Sequence, residues 1–555
     1  MASHASTSVP VRIVPLGGFG EIGLNLTVVE CAGQALIIDA GVMFPEERGL
    51  GLGVLAPDLT YLEQSRPQVL GIVLTHAHED HIGALPHLLR RFNAPVYGTK
   101  LTLAFARRRL EEEGLIGARM NALEPRRSFE LGPFELEPLR VTHSTPDSVG
   151  LAIRTPAGLI VHSGDFKIDP APIDGQLFDR ERFAELGAEG AALLISDSTN
   201  VERTGRTASE SSIKPVLREI VARSRGRFFL SVFSSHLHRI RQLTEVSREA
   251  GRRVVPLGRR MAESVRLGTE LGQLPFPPGT FIEPGEAQFL EARRLTYLAS
   301  GSQGESLSAL ARIAAGAHPR ARVDPGDTVV LSSRFIPGNE RTINTLVNRL
   351  YKRGAEVFYE AVAPVHVSGH ASRDELAELI ALVRPRHFVP THGEYRHLRR
   401  HLALAVEAGI PEANCFLLEN GEPLVLNGAG AHRARAVEAG RVLIEDGEFG
   451  DPALLDERRA LGRDGTVFAV LAVSSKSGAL VAGPELVSRG IVVGDGTSVH
   501  MRRARAQLVE RLNRIEQPFS ADGAMLREEI VHALRSYFSH ALGKRPLIVP
   551  HIMEV

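Results

Sequence analysis

LTHAHEDHIGA, residues 74 to 84, sets His76, His78, Asp80 and His81 within six positions at the end of the apolar run VLGIVLT. A short apolar run of that kind predicts a buried strand. On extended backbone alternate side chains share a face, so His76 and His78 point the same way and can reach one ion. Asp80 and His81 fall where HIGALPHLLRR takes on a helical pattern, and they would project from its N-terminus toward a second ion. Neutral imidazole and carboxylate suit a cation such as zinc or manganese, and catalysis needs several of them to converge while leaving room for water. One histidine here would be an ordinary solvated or capping side chain; four ligand-type residues behind one strand are a metal signal.

Four donors cannot complete two ions, so others must come from strand ends elsewhere. RVTHS puts His143 after a strand, LIVHSGD puts Asp165 after another, FVPTHGE puts His392 after a third, and ALIIDAG puts Asp39 in an equivalent place near the start. Each alone would be a turn cap. Together they supply the missing donors in one structural context.

The 555 residues exceed the roughly 250–300 at which a single core stops growing, so two to four domains are expected. Hydrophobic content of 43% and charged content of 23% are ordinary globular values, and no run approaches the ~18 apolar residues of a membrane span. A soluble protein without membrane association is expected. MASHASTSVPVRIV lacks a basic segment followed by an apolar one, and two cysteines, Cys31 and Cys415, make no disulfide framework, so the expected location is a reducing cytoplasm. The 65 basic and 65 acidic side chains cancel, which excludes a surface coated in positive charge but leaves room for a local basic channel. Arginine outnumbers lysine 59 to 6; its planar fork suits phosphate, although biased codon composition explains the excess more simply.

Along the chain, the first two hundred residues punctuate short β-rich runs with Gly and Pro turns, among them VRIVPLGG, ALIIDAG, FELEPLRVTH and GLIVHSGD, with helical patterns at ALPHLLRRF and TLAFARRRLEEE. Sheet against sheet with helices outside is the architecture this predicts. From about 211 to 360 strands alternate with longer helices: SIKPVLREIVARSR, RFFLSVF, HRIRQLTEVSREAG, RRVVPLG, DTVVLSS, NTLVNRLYKRG and EVFYEA. That rhythm predicts a second domain built on a parallel sheet with crossover helices. Compact strand and turn material returns at 365 to 430, GRVLIEDGEFGDP looks like a connector, and 465 to 555 alternates again, with RGIVVG among its strands, as a small βαβ-like domain.

THAHEDH with the later His, Asp and His resembles the His-x-His-x-Asp-His signature of the metallo-β-lactamase fold, an αββα sandwich with metals at one edge. The resemblance implies one ion held by His76, His78, His143 and Asp165 and another by Asp80, His81, Asp165 and His392, with Asp165 the bridge and Asp39 a buried support behind the ligands. His162 is not a ligand in that pattern. Asp165 and His392 stand 227 positions apart, with a whole α/β domain between them. This resembles the β-CASP branch, whose members cut nucleic acids; Asp197 in LLISDSTN, His370 in HVSGHAS and His392 in PTHGE match its marks. With LGGFGEIGLN, FSSH and SSRFIPGNE the chain is similar to the ribonuclease J family from about residue 10 through its C-terminal domain. The implied α/β architecture is an αββα domain over 1–208, completed by 363–440, with a β-CASP insert over 209–362, a linker over 441–464 and a C-terminal domain over 465–555.

The implied activity is 5′-to-3′ exonuclease and endonuclease cleavage of RNA in processing and decay. Two divalent metal ions per subunit, zinc or manganese with magnesium as a further candidate, would acidify a water for in-line attack, leaving 5′-phosphate and 3′-hydroxyl ends. Catalytic roles fall to Asp80, Asp197 and His370, the last as proton donor or phosphate contact steadied by Asp197. The backbone amides of Ser368, Gly369 and Ala371 are candidates for holding a phosphate. Ser234, Ser235, His236 and Arg334, expected to face the same cleft, would take the terminal nucleotide; simple turn formation explains the serines as readily. Expected partners are single-stranded RNA, with 5′-monophosphate preferred, a second copy or more of the chain, and other proteins of RNA degradation. The rival readings are a small-molecule hydrolase of the thioesterase or lactonase type, which needs neither the insert nor His370, and a non-catalytic scaffold, which would tolerate lost ligands.

Overall fold

Alternation of apolar side chains along each strand builds the first part of the molecule. In the strand Val11–Gly17, Val11 and Ile13 face one way while Val14 and Leu16 face the other, and both sets are buried. The strand lies in an eight-stranded sheet, ordered Gly430–Arg433, Leu424–Asn427, Val11–Gly17, Leu26–Cys31, Gln34–Ile38, Gln68–Val73, Val96–Gly98 and Met120–Ala122. It faces a six-stranded sheet, ordered His387–Thr391, Ala191–Asp197, Gly158–His162, Val149–Thr155, Phe134–Arg140 and Phe129–Leu131. Between them Ile13, Leu36 and Val73 meet Leu151, Ile160 and Val389. Helices cover both outer faces: Lys100–Glu112 lies over the first sheet, and Arg180–Glu189, Arg373–Val383 and Tyr395–Glu407 over the second. This is the expected αββα sandwich, in a computed structural model that describes residues 9–45, 53–305, 307–335, 339–428, 430–445, 448–450, 452–477, 479–491, 497–514 and 524–555.

Strand direction decides where the site falls. Gln34–Ile38 runs parallel to Gln68–Val73, with Ile38 opposite Val73, so Asp39 and the THAHEDH segment leave the first sheet at the same edge. In the second sheet Gly158–His162, Ala191–Asp197 and His387–Thr391 are parallel, with His162 opposite Ile195 and Asp197 opposite Thr391, so Asp165, Asp197 and His392 also emerge together. Carboxyl ends of parallel strands are where a sheet leaves room for a ligand.

The insert is a five-stranded, all-parallel sheet in the order Arg253–Leu257, Leu295–Ala299, Phe228–Ser231, Thr328–Leu331 and Glu356–Phe358. Ile213–Arg223, Leu237–Glu249 and Arg259–Glu270 cover one face; Ala309–Ala315 and Glu340–Lys352 cover the other. The strand LTYLA at 295–299 and the helices over 259–270 and 373–383 escape the sequence reading. The first is flanked by arginines and short 3₁₀ turns, and the second has only a few spaced apolar residues. The third carried a usable signal, the capping box between Ser372 and Glu375.

Sandwich and insert form one compact unit, Met1–Met43 with Leu55–Arg441; Phe44–Val54 with Val442–Val555 form a second. In the second, Thr466–Val473 pairs antiparallel with Leu480–Arg489 and parallel with Leu547–Glu554, and the helices Thr497–Leu512 and Ala524–Leu542 close its own core around Leu471, Leu508, Ile530 and Phe538. The βαβ element is therefore present. The stretch 441–464, expected as a connector, instead holds the strand Arg441–Glu445 and the helix Pro452–Asp464, whose interleaved charges hide its period; residues 446, 447 and 451 lie outside the described set. The strand expected at RGIVVG also differs, because Leu480–Arg489 ends where that segment begins, and 492–496 are outside the described residues.

Truncating Ile153, fully buried between the two sheets, should cost about 2–5 kcal/mol in a denaturant titration. Phe538→Ala should cost about 3–5 kcal/mol of the C-terminal unit while bound metal per chain stays at the parental value, since Phe538 lies in a separate core.

Candidate active site

The THAHEDH segment is held by backbone before any side chain acts. His78 is the extended N-cap of a one-turn helix, Glu79–Ile82, and the loop after Asp39 bonds that turn: Ala40 N to His81 O at 2.8 Å and Val42 N to Glu79 O at 3.0 Å. Gly41 fits because it lacks a side chain, as a Cβ there would stand 1.6 Å from the Asp80 carbonyl oxygen. Asp39, at φ 62° and buried, accepts from Thr75 N and the Thr75 hydroxyl, both at 2.8 Å, and from His81 Nδ1 at 2.7 Å. That last bond places the His81 proton on Nδ1 and turns Nε2 toward Asp165 Oδ2, 3.2 Å away. Asn25, which the residue reading passed over although it sits in the LGGFGEIGLN motif, donates to the Asp80 carbonyl at 3.0 Å and lies 3.1 Å from His81 Nε2.

The expected donors converge in two sets of four: His76, His78, His143 and Asp165; and Asp80, His81, Asp165 and His392, with donor atoms in each set within 4.8 Å of one another. In the first, His78 Nδ1 stands 3.0 Å from His76 Nε2 and 3.2 Å from His143 Nε2. The far nitrogens are engaged elsewhere: His143 Nδ1 with Gly369 O at 2.8 Å, His78 Nε2 with the Ser144 hydroxyl at 3.2 Å, and His76 Nδ1 with that of Thr75 at 3.1 Å. Gly369 allows this approach, since a Cβ there would meet His143 Cε1 at 2.7 Å. Asp165 Oδ2 and His392 Nε2 are buried with no hydrogen-bond partner. Inward-facing nitrogens with their outer atoms tied back, beside orphaned buried polar atoms, are a donor set for divalent cations. His162, which the expected pattern leaves out, accepts from Gly164 N at 3.0 Å and belongs to neither set.

Electrostatics divides the two sets. Burial drives the His76 and His143 pKa values well below the usual imidazole value and that of His78 to about 4, so these rings are neutral and ready to ligate. Burial opposes charge on His81 too, but Asp165, Asp39 and Asp80 outweigh it and push its pKa up to about 10. His392 is held well above its usual value in the same way, chiefly by Asp165. Asp165 and Asp80 lie below the usual carboxylate range, burial being outweighed by His392 and His81. In the second set, then, protons stand where a cation would be, and metal binding would release them.

Beside these sets, His370 Nδ1 meets Asp197 Oδ2 at 2.8 Å. Burial lowers the His370 pKa, yet Asp197 raises it above the usual imidazole value. Asp197 and His370 also form a third set of donors with Asp165 and His392. Thr199 donates to Asp197 Oδ1 at 2.7 Å, and Asn200 donates to the Ser368 hydroxyl at 2.8 Å and the His370 carbonyl at 3.1 Å while accepting from Arg334 Nη1 at 3.2 Å. Thr199 and Asn200 lie in the quoted SDSTN motif, but nothing in their residue types singles them out. Ser234 and Ser235 are half-buried in a turn. Two expectations need correction. The Ala371 amide donates to Phe166 O at 2.6 Å, so it is committed to the fold and does not offer itself to a phosphate. The His236 ring is buried, caps the helix Leu237–Glu249 by accepting from Arg239 N, and has its Nε2 3.8 Å from Glu210 Oε1, so it faces an internal carboxylate rather than open cleft.

Comparison with known proteins reaches 98% of the chain. Residues 20–196 match the family model described as the metallo-beta-lactamase superfamily, and 225–350 that of the ribonuclease J beta-CASP domain. Residues 354–417 match a Zn-dependent metallo-hydrolase RNA specificity domain, and 453–555 the ribonuclease J C-terminal domain. The chain is 37% identical to ribonuclease J 1 of Streptococcus pyogenes serotype M3 over 98% of this chain and 97% of that protein. It is 38% identical to ribonuclease J of Thermus thermophilus over 98% and 95%, and 40% identical to ribonuclease J of Synechocystis over 89% and 77%. A crystal structure of a protein of unknown function from Enterococcus faecalis V583 superposes with a TM-score of 0.54 at 16% identity, covering 75% of this chain and all of that one, a likeness of fold.

Asp39→Ala removes the acceptor that fixes the His81 ring, and metal affinity should fall about 10- to 100-fold in competition with a chromogenic chelator.

Proposed function

Because the chain belongs to the ribonuclease J family, with its metallo-β-lactamase and β-CASP domains, we propose that it is a metal-dependent ribonuclease that cuts single-stranded RNA both 5′-to-3′ from a monophosphorylated end and internally. In this reading His76, His78, His143 and Asp165 hold one divalent cation, and Asp80, His81, Asp165 and His392 hold the other, with Asp165 shared. The carrying observation is the convergence of both donor sets on one buried carboxylate. Nitrogen and oxygen donors together favour zinc or manganese over magnesium. When bound, the cations supply Lewis acidity, lowering the pKa of water and offsetting charge on phosphoryl oxygens.

The chain's own side chains do the rest. Asp39 keeps His81 in one tautomer, and the Gly369 carbonyl does the same for His143. An ionised Asp197 accepts from His370 Nδ1 and raises the ring's pKa, favouring the protonated form, whose Nε2 would give its proton to the departing 3′-oxygen. Arg334, which donates to Asn200 through Nη1, and the hydroxyls of Ser234, Ser235 and Ser368 would take phosphate and sugar of the terminal nucleotide. A homodimer or larger homo-oligomer in the cytoplasm, with RNA-degradation partners, belongs to the same reading; among the described residues no helix is long and apolar enough to cross a membrane.

Two variants and a stripping experiment test it. Asp80→Ala should lose bound metal and activity together. His370→Ala should keep its metal and lose about 10²- to 10⁴-fold in turnover of 5′-monophosphorylated RNA. Removing metal with a chelator should abolish cleavage and lower the thermal midpoint, since metal at a hundred times its Kd contributes about 2.7 kcal/mol to the folded state. Parallel assays on RNA and on a simple thioester separate the ribonuclease from a small-ester hydrolase, and parental RNA turnover by both variants would remove the assignment.

A further inference from the structure

The insert leaves the sandwich near Glu210 and returns near Val365, and one side chain bonds both connections. Arg239, on the helix Leu237–Glu249, is fully buried. Its Nε and Nη2 donate to the two oxygens of Glu210 at 2.7 and 2.9 Å. Its Nη1 donates to the Val365 carbonyl at 3.0 Å and to the Ser332 hydroxyl, which itself donates to that carbonyl at 2.6 Å. Gln242, three residues along the same helix face, donates to the Glu210 backbone and side chain at 3.1 and 3.0 Å.

Both ends of this network reach the site. The Glu210 amide donates to Asp169 Oδ2 at 2.8 Å, Asp169 pairs with the buried Lys167 at 3.3 Å, and Thr142 bonds the Lys167 carbonyl. Thr142 immediately precedes His143, and Lys167 lies two residues beyond Asp165. On the other side, Val365 leads into the Ser368–His370 turn, and Ser332 stands two residues before Arg334. A buried ion pair costs about as much in desolvation as its attraction returns, so apolar residues of equal volume would hold the layers as firmly. What the planar, two-pronged contact adds is a single allowed registration of one layer on the other.

We propose that Arg239 is a positioning residue for RNA cleavage: by clamping Glu210 to Val365 it fixes the insert over the metal-binding residues and so sets where His370 and Arg334 meet the RNA. This rests on the ribonuclease reading of the site. Arg239 touches no substrate; it acts through the turn and strand end that do.

The test compares the full chain with Arg239→Lys, Arg239→Met and the double variant Glu210→Gln/Arg239→Met, which leaves no buried ion unpaired. Thermal midpoint, bound metal, kcat and KM on 5′-monophosphorylated RNA are measured together, with turnover expressed per metal-loaded chain so that any misfolded fraction cancels. The double variant should recover the thermal midpoint lost in Arg239→Met and keep parental metal, yet show kcat lower by about 10- to 100-fold at nearly unchanged KM. Arg239→Lys, which keeps the charge without the fork, should fall between. A double variant that matches the parent per loaded chain, or losses in kcat that merely follow bound metal, would make the pair structural and overturn the proposal. A parent chain that leaves RNA intact while binding metal would instead bring down the ribonuclease reading, and this proposal with it.

Discussion

Imidazole nitrogens about 3 Å apart, with their outer atoms tied to hydroxyls and a carbonyl, form a buried cluster of donors that a shared cation would hold together. The rest of the sandwich serves this constraint. Parallel strands in two facing sheets deliver Asp39, His76, Asp165, Asp197 and His392 to one edge, and the sheet-to-sheet core keeps that edge from relaxing. The apolar layer beneath is buried and close-packed, so it resists deformation of that edge.

The two cation sets differ in a way their residue types alone do not reveal. Neutral rings dominate the first, while the second is already balanced by protonated His81 and His392 against Asp80 and Asp165. The difference follows from Asp39 and from the shared Asp165, both of which lie nearer the second set.

Much of this was legible in the sequence, because the informative signals were local. THAHEDH needed only the two-residue repeat of a strand and the start of a helix, and the later donors each closed an apolar run. The parallel sheet of the insert was legible from its alternation of strands and helices. What escaped depended on distant partners. Nothing local tells that the Ala371 amide is taken by Phe166, that His236 turns to Glu210, or that Asn200 links Arg334 to Ser368. Likewise, the helix Pro452–Asp464 was hidden because its charges obscure the period that marks an amphipathic helix.

Since a single guanidinium spans Glu210 and Val365, the two ends of the insert lie a side chain apart. A segment whose ends meet asks little of its host: closing a loop grows only with the logarithm of its length, about 0.6 kcal/mol for each doubling. A module of this size can therefore join the sandwich at one point without shifting the strand registers of either sheet.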